Sequence, residues 1–239
     1  MIEPDKLAEE IDEAHRDGRL LDADAAPVLD LTTAYTVQRL LTGRRGARGA
    51  RRIGWKLGYT SAAMRAQMGV DEPNLGPLLD AMLVTDGRLP SGLVQPKVEP
   101  EIAVEVAAGG GPGRARAALE IVDSVWRGYR FTLELNTADG SSAAGVVLGP
   151  ELPADVLDEM PVDLERNGRP EASATGAAAM GHPFNAVAWL AEELGRRGER
   201  LRAGDLILTG GLTAAVPLDP GDTVAATFGA RHRVEIRRP

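Results

Sequence analysis

The stretch that decides the fold is Pro96–Val106, "PKVEPEIAVEV". Written as a strand, its even positions Val98, Ile102, Val104 and Val106 are apolar, with Pro100 between them. Its odd positions are Lys97, Glu99, Glu101, Ala103 and Glu105. A period of two predicts one face on a core and the other carrying carboxylates side by side, where like charges repel. Either that second face points at water or something positive sits over it. Pro100 predicts an edge position or a bulge, since proline cannot donate to a ladder.

Outward from this strand the texture is β-rich. "RIGWKLGYT", "ALEIVDS", "YRFTLEL", "AAGVVLG", "DLILTG", "TVAATFG" and "HRVEIRR" read as further strands. "PNLGPLLDAM" reads as turn-rich, "SAAMRAQMGV" as a short helix with Ser61 near its start, and Gly109–Gly113 as a turn. Helices are expected at residues 4–18 (Leu7, Ile11, Ala14 on one face) and from Asp30 or Thr32 onward (Ala34, Val37, Leu40, Leu41). The second runs into an Arg cluster read as solvated surface. A third helix begins at Pro183, with Val187, Leu190, Ala191 and Leu194 as its face and Gly198 at its end. This is not regular β-α alternation, so the expected class is α+β with a mixed or antiparallel sheet. The expected division is an N-terminal helical segment, 1–50, and a catalytic β-rich core, 51–239.

The 239 residues are 44% hydrophobic with a net charge of −8, which fits a globular protein and argues against nucleic acid or anionic membrane as partner. There is no cysteine, which removes disulfides, thiolate metal sites and cysteine nucleophiles. No apolar run approaches bilayer length and the acidic start lacks a signal-peptide core, so a cytoplasmic location is expected.

Candidate chemistry is concentrated in carboxylates and one lysine. Glu99 and Glu101 leave the same face of one strand, a pattern open to a hard divalent cation or to plain solvent. Glu120 stands among Leu119, Ile121 and Val122: either it points outward from a half-exposed strand or it is buried, and a lone buried carboxylate needs a cation or donors. The chain has 24 Arg but only three Lys: Lys6, Lys56 and Lys97. Lys56 lies between Trp55 and Leu57, where desolvation could bring it to act as an acid or base near neutrality, or where it simply snorkels. Asp80 reads as a turn cap or an acidic partner. Asp139, Ser141 and Ser142 form a small polar loop. His182 reads as a structural residue at a helix start, and His15 and His232 as surface.

The order of these motifs carries more than each alone. "GWKLGYTS", "QMGVDEPNLGPLLD", "PKVEPEIAVEV", "LEIVDS", "TADGSSAAGVVLG" and "GHPFNAVAWLAEELGRRGERLRAGDLILTGGLTAAVPLDPGD" together resemble the 2-keto-4-pentenoate hydratases and 4-oxalocrotonate decarboxylases of the fumarylacetoacetate hydrolase superfamily. The resemblance runs from about Leu31 to the end. It implies a mixed β-roll core with a small helical front segment and a Mg²⁺ or Mn²⁺ ion held by Glu99, Glu101 and Glu120. It further implies Lys56 as active-site lysine, Asp80 as its acidic partner and Ser142 as the serine of an "ADNAS"-type loop. The implied activity is that of a lyase on a small 2-oxo acid. A 2-oxo-3-enedioate decarboxylase is favoured by "TGGLTAAVP" and "YRFTL", with a dienoate hydratase or a biosynthetic enzyme on an altered substrate as alternatives. A homo-oligomer and association with a pathway partner enzyme are implied as well. A carbon–carbon hydrolase would carry a stretch like "NDVTARD", which is absent, and a non-enzymatic subunit would bind no metal.

Two departures stand out. Gly140 replaces the Asn usual in the serine loop, and Glu101 and Glu120 are 19 positions apart, as though a helix before the third ligand were reduced to "GGPGRARAA".

Overall fold

The computed structural model describes residues 3–62, 65–66 and 69–239. The helix expected over 61–70 falls partly on 63–64 and 67–68, outside the described residues. In chain order the elements are α1 (Pro4–Asp17), α2 (Leu31–Ala47), β1 (Arg52–Gly58), β2 (Asn74–Leu79), β3 (Lys97–Val106) and β4 (Pro112–Val122). Then come α3 (Leu133–Ala138), β5 (Ala143–Leu152), β6 (Pro161–Arg166), β7 (Arg169–Thr175) and α4 (Pro183–Arg196). The chain closes with β8 (Leu206–Leu208), β9 (Val216–Pro217), β10 (Thr223–Phe228) and β11 (His232–Arg237).

The larger sheet runs β2-β1-β8-β3-β4-β5, with β9 also paired to β3. Only β1 and β8 are parallel, so the sheet is mixed. A second, antiparallel sheet runs β11-β10-β6-β7. The apolar parity of β3 makes the joint: Val98, Ile102, Val104 and Val106 are buried in one cluster with Leu164, Val224, Phe228 and Ile236 of the second sheet and Val187, Leu190 and Leu194 of α4. Gly149 lets the sheets approach, since a Cβ there would stand 2.8 Å from that of Val234. The α+β expectation and the mixed β-roll core hold.

β3 and β4 are one hairpin, turned at 107–111 with Gly110 at φ 84°. The stretch "GGPGRARAA" is thus turn and strand with no helix, and the 19-residue spacing is the arithmetic of a direct hairpin. Pro100 sits in a regular stretch of the register, not at a bulge. On its other side β9 pairs only Lys97 and Val98 and β8 only Ala103 to Glu105, so Pro100 lies where that ladder is interrupted.

Three readings fail for local reasons. "YRFTLEL" is not a strand: Thr132 accepts from Leu135 N and starts α3, whose Leu and Glu residues favour helix. "PNLGPLL" is a strand, β2, despite its Gly and Pro, because an edge strand tolerates Pro77. The Arg cluster at the end of α2 is not mere surface: Arg48 makes a bidentate pair with buried Asp12 at 2.7 Å, and Arg44 pairs with Asp5 at 3.0 Å, fastening α2 to α1. The β6–β7 hairpin turns on "NG", with Asn167 and Gly168 both at positive φ, a two-residue turn signal of its own.

Asp30 caps α2 as expected, accepting from Thr33 N at 2.7 Å. Leu7, Ile11, Val37 and Leu41 of the front helices share a core with Val125, Trp126, Leu135 and Ala138. The helical front is thereby bonded to the segment that carries the serine loop. No described helix is long and apolar enough to cross a membrane.

Candidate metal centre and active site

The second face of β3 does not look at water. Glu99 lies directly opposite Glu120 in the β3–β4 register, and Glu101 follows one pleat on, opposite Ala118. One oxygen from each of the three falls within 4.8 Å of the others. Glu101 and Glu120 are fully buried. Glu105, of the same parity, lies at the outer end and pairs with Arg114 at 3.1 Å.

Three carboxylates so close, two of them fully buried and Glu99 half-buried, need compensation. Gly210 N donates to Glu101 Oε2 at 2.8 Å, and Lys56 Nζ lies 3.1 Å from Glu120 Oε2. Among the described residues Glu101 Oε1 and Glu120 Oε1 have no hydrogen-bond partner, and Glu120 Oε2 has only the ion pair. Orphaned, convergent carboxyl oxygens are the ligands a hard divalent ion takes. The residues present fit such an ion.

The electrostatics agree. Burial, then repulsion from Glu120, pushes the Glu99 carboxyl up from 4.5 to about 8 despite Lys56, and burial raises Glu101 well above the usual range. Lys56 answers in the opposite sense: burial alone would lower it, but Glu120, Glu99 and Glu101 drive it up to about 12. This corrects the expectation of a lysine titrating near neutrality. Lys56 is a fixed cation, also donating to Ser141 O at 3.1 Å.

A pH prediction follows for the metal-free protein. A carboxyl raised by folding keeps its proton in the native state where the unfolded chain has lost it. Its stabilising contribution is full below 4.5 and disappears as pH rises through about 8. Thermal melts in chelator should fall between about pH 5 and pH 8, and Mg²⁺ should add more stability at the upper end. A melting temperature that rises over that interval would show Glu99 ionised throughout.

The walls come from distant segments. A cavity of about 370 Å³ is lined by Lys56, Tyr59, Lys97, Glu99, Tyr129, Asn136, Ser141, Ser142 and Gly211. Gly140, Ser141 and Ser142 follow one another at φ 78°, 58° and 57°, a strained turn for two serines. It is held from all sides. Asn136 Nδ2 donates to Ser142 Oγ at 2.8 Å, Ser141 Oγ to Asn74 Oδ1 at 3.0 Å, and Asn74 Nδ2 to Asn136 Oδ1 at 3.0 Å. Asp139 at the root of the turn accepts from Ser124 Oγ at 3.0 Å and lies 2.6 Å from His15 Nε2, so His15 is no surface residue. His182 is structural, accepting at Nδ1 from Phe184 N as the cap of α4.

Asp80 is not brought to this site. Lys56 pairs with Gly76, whereas Asp80 lies four residues further along the β1–β2 hairpin, on the order of 14 Å away at strand rise. There it accepts from Arg51 N and Nε, both at 3.0 Å, as a turn cap. The antiparallel run carries it to the far end.

A model of the fumarylacetoacetate (FAA) hydrolase C-terminal domain matches residues 80–235, some two thirds of the sequence. The chain belongs to the fumarylacetoacetate hydrolase family. Within the family it is 38% identical to a 4-oxalocrotonate decarboxylase of Pseudomonas sp. (strain CF600), with 97% of this chain and 95% of that protein covered. It is 37% identical to a 2-keto-4-pentenoate hydratase of Burkholderia vietnamiensis, at 92% and 91% coverage. The solved 4-oxalocrotonate decarboxylase of Pseudomonas putida G7, complexed with magnesium and adipate, superposes with a TM-score of 0.91 at 33% identity, covering 99% and 97%. The motif resemblance and the fold it implied are therefore correct.

Several site residues had no sequence signal of their own. Asn74 and Asn136 meet only through tertiary contact, 62 positions apart. The pair Gly210–Gly211 could have been found: a double glycine at a strand end often marks close approach. A Cβ on Gly210 would stand 1.9 Å from Thr60 Oγ1, and one on Gly211 2.2 Å from Glu99 Oε2.

Proposed function

We propose that this chain is a divalent-metal-dependent lyase of small 2-oxo acids, with a 2-oxo-3-enedioate losing CO₂ as its reaction. The observation that carries the reading is the convergent triad of Glu99, Glu101 and Glu120, with orphaned oxygens on the last two and Lys56 Nζ 3.1 Å from Glu120, Glu99 and Lys56 themselves lining the cavity. When bound by these three glutamates, Mg²⁺ or Mn²⁺ supplies Lewis-acid polarisation of a 2-oxo group.

The chain's own residues supply the rest. Loss of CO₂ breaks a carbon–carbon bond, and the electron pair runs through the conjugated system to the 2-oxo oxygen. Lys56, kept protonated by its carboxylate neighbours, holds the negative charge that develops there. Its ammonium is aimed in advance by Ser141 O and Glu120, so little reorganisation accompanies the step. Ser142 Oγ accepts from Asn136, which leaves its own proton free to donate toward a substrate oxygen. Buried Leu57 and the side chain of Phe131 limit water at the inner wall.

Hydration of a 2-hydroxydienoate is the second reading, favoured by relatives of nearly equal identity that carry the hydratase name. It passes through a related enolate and would use the same residues. Assembly into homo-oligomers and association with a pathway partner enzyme are part of this proposal, supported only by the family resemblance.

Incubation with Mg²⁺ and, separately, 2-oxo-3-hexenedioate or freshly generated 2-hydroxypenta-2,4-dienoate tests it. Metal-dependent CO₂ release is expected from the first. Water addition to the second with no CO₂ from the first would make the chain a hydratase, and no reaction with either would overturn the reading.

A further inference from the structure

Lys97, one of three lysines in the chain, remains unexplained by the metal centre. It shares the face of β3 with Glu99, two positions away, and lines the same cavity. Its backbone is fixed on both sides, opposite Val122 of β4 and Pro217 of β9. Among the described residues its ammonium has no carboxylate within ion-pair distance. Instead Nζ rests 4.0 Å from the centroid of the Tyr129 ring.

That ring is built into place. Tyr129 adopts φ 58°, a conformation costly for a bulky residue, and its hydroxyl is held by the carbonyl oxygens of Gln95 and Val122, both at 2.9 Å. A strained, doubly anchored aromatic face thus holds a lysine ammonium at the cavity wall, where Glu99 feels its charge but, among the described residues, no carboxylate is in ion-pair contact with it. Lys56 already serves the glutamates, so Lys97 is a second and separate positive point in the cavity.

The spacing sets what it would meet. Residues two apart on a strand stand about 6.8 Å apart. A six-carbon chain with C–C bonds of about 1.5 Å spans roughly 6 Å between its terminal carbons. A molecule whose 2-oxo acid end lies at the glutamates and which runs along β3 therefore has the length to bring a carboxylate at its sixth carbon to Lys97.

We propose that Lys97 is the specificity-determining residue that reads the distal carboxylate of a six-carbon 2-oxo diacid, with the Tyr129 ring as its support; this rests on the 2-oxo acid reading above. In decarboxylation the distal carboxylate is the group that leaves as neutral CO₂. The contact with Lys97 is thus made to the ground state and weakens as the bond breaks. It lowers KM for the diacid and holds kcat down.

The test is calorimetric binding of 2-oxoadipate and 2-oxohexanoate, which differ by that carboxylate alone, to the Mg²⁺-loaded protein. The wild type should prefer 2-oxoadipate at least tenfold. Lys97→Met should bind the two alike, with 2-oxohexanoate unchanged, while Lys97→Arg keeps the preference. In turnover of the enedioate, Lys97→Met should raise KM and leave kcat equal or higher. A Lys97→Met protein that keeps the preference, or loses both ligands equally, overturns the assignment. Equal binding of both by the wild type overturns it too and leaves the 2-oxo acid reading standing; binding of neither removes that reading and this one with it.

Discussion

Glu101→Gln should bind Mg²⁺ on the order of 100-fold more weakly than the wild type and lose turnover in proportion, yet melt at a higher temperature when metal-free. The first effect follows from removing one of three hard anionic ligands. The second follows from burial. Glu101 is fully enclosed, and its proton affinity is raised by burial and then by Glu120 and Glu99. A neutral amide relieves that repulsion, can keep the bond from Gly210 N through its oxygen, and turns its NH₂ toward neighbouring carboxylates. Calorimetric titration and melts in chelator read the two effects separately. A variant that melts lower without metal would show that Glu101 is held by structure and not reserved for a cation.

Lys56→Met should behave in the opposite way. It removes the one cation in ion-pair contact with the triad, so the three glutamates lose their internal counter-charge and bind Mg²⁺ at least as tightly as before. Turnover should nevertheless fall by about 10²- to 10³-fold, the usual loss for one preorganised electrostatic contact. The metal-free protein should be destabilised and rescued by Mg²⁺. Steady-state kinetics under saturating metal decides: near wild-type kcat would make Lys56 a structural counter-ion only.

What was legible in the sequence was whatever depended on local period. The parity of β3 gave both the core face and the carboxylate face, whereas the apolar neighbours of Glu120 in "ALEIVDS" left its burial open until the fold enclosed it. Where propensity and tertiary context compete, reading failed. β2 is a strand because β1 pairs with it, not because "NLGPLL" favours one. α3 hides behind an alternation of Tyr129, Phe131, Leu133 and Leu135 that looks like strand, and only the Thr132 cap betrays it. Asp80 seemed chemical by its place among the motifs, but the hairpin register carries it to the opposite end from Lys56. The serine turn illustrates the limit best. Its shape is set by Asn74, Asn136, Ser124 and His15, four residues from four segments that no short window contains.

The triad's role as a cation site is the claim on which the rest depends. It is tested most directly by titrating Mg²⁺ into the metal-free wild-type protein near pH 7, in two buffers of different ionisation enthalpy. One ion per chain should bind at submillimolar concentration with release of protons, because Glu99, raised to about 8, and Glu101, raised well above the usual carboxyl range, must both ionise to ligate. Absence of binding up to millimolar Mg²⁺ or Mn²⁺ would contradict the account, and Glu99, Glu101 and Glu120 would then be a carboxylate cluster held by Lys56 alone.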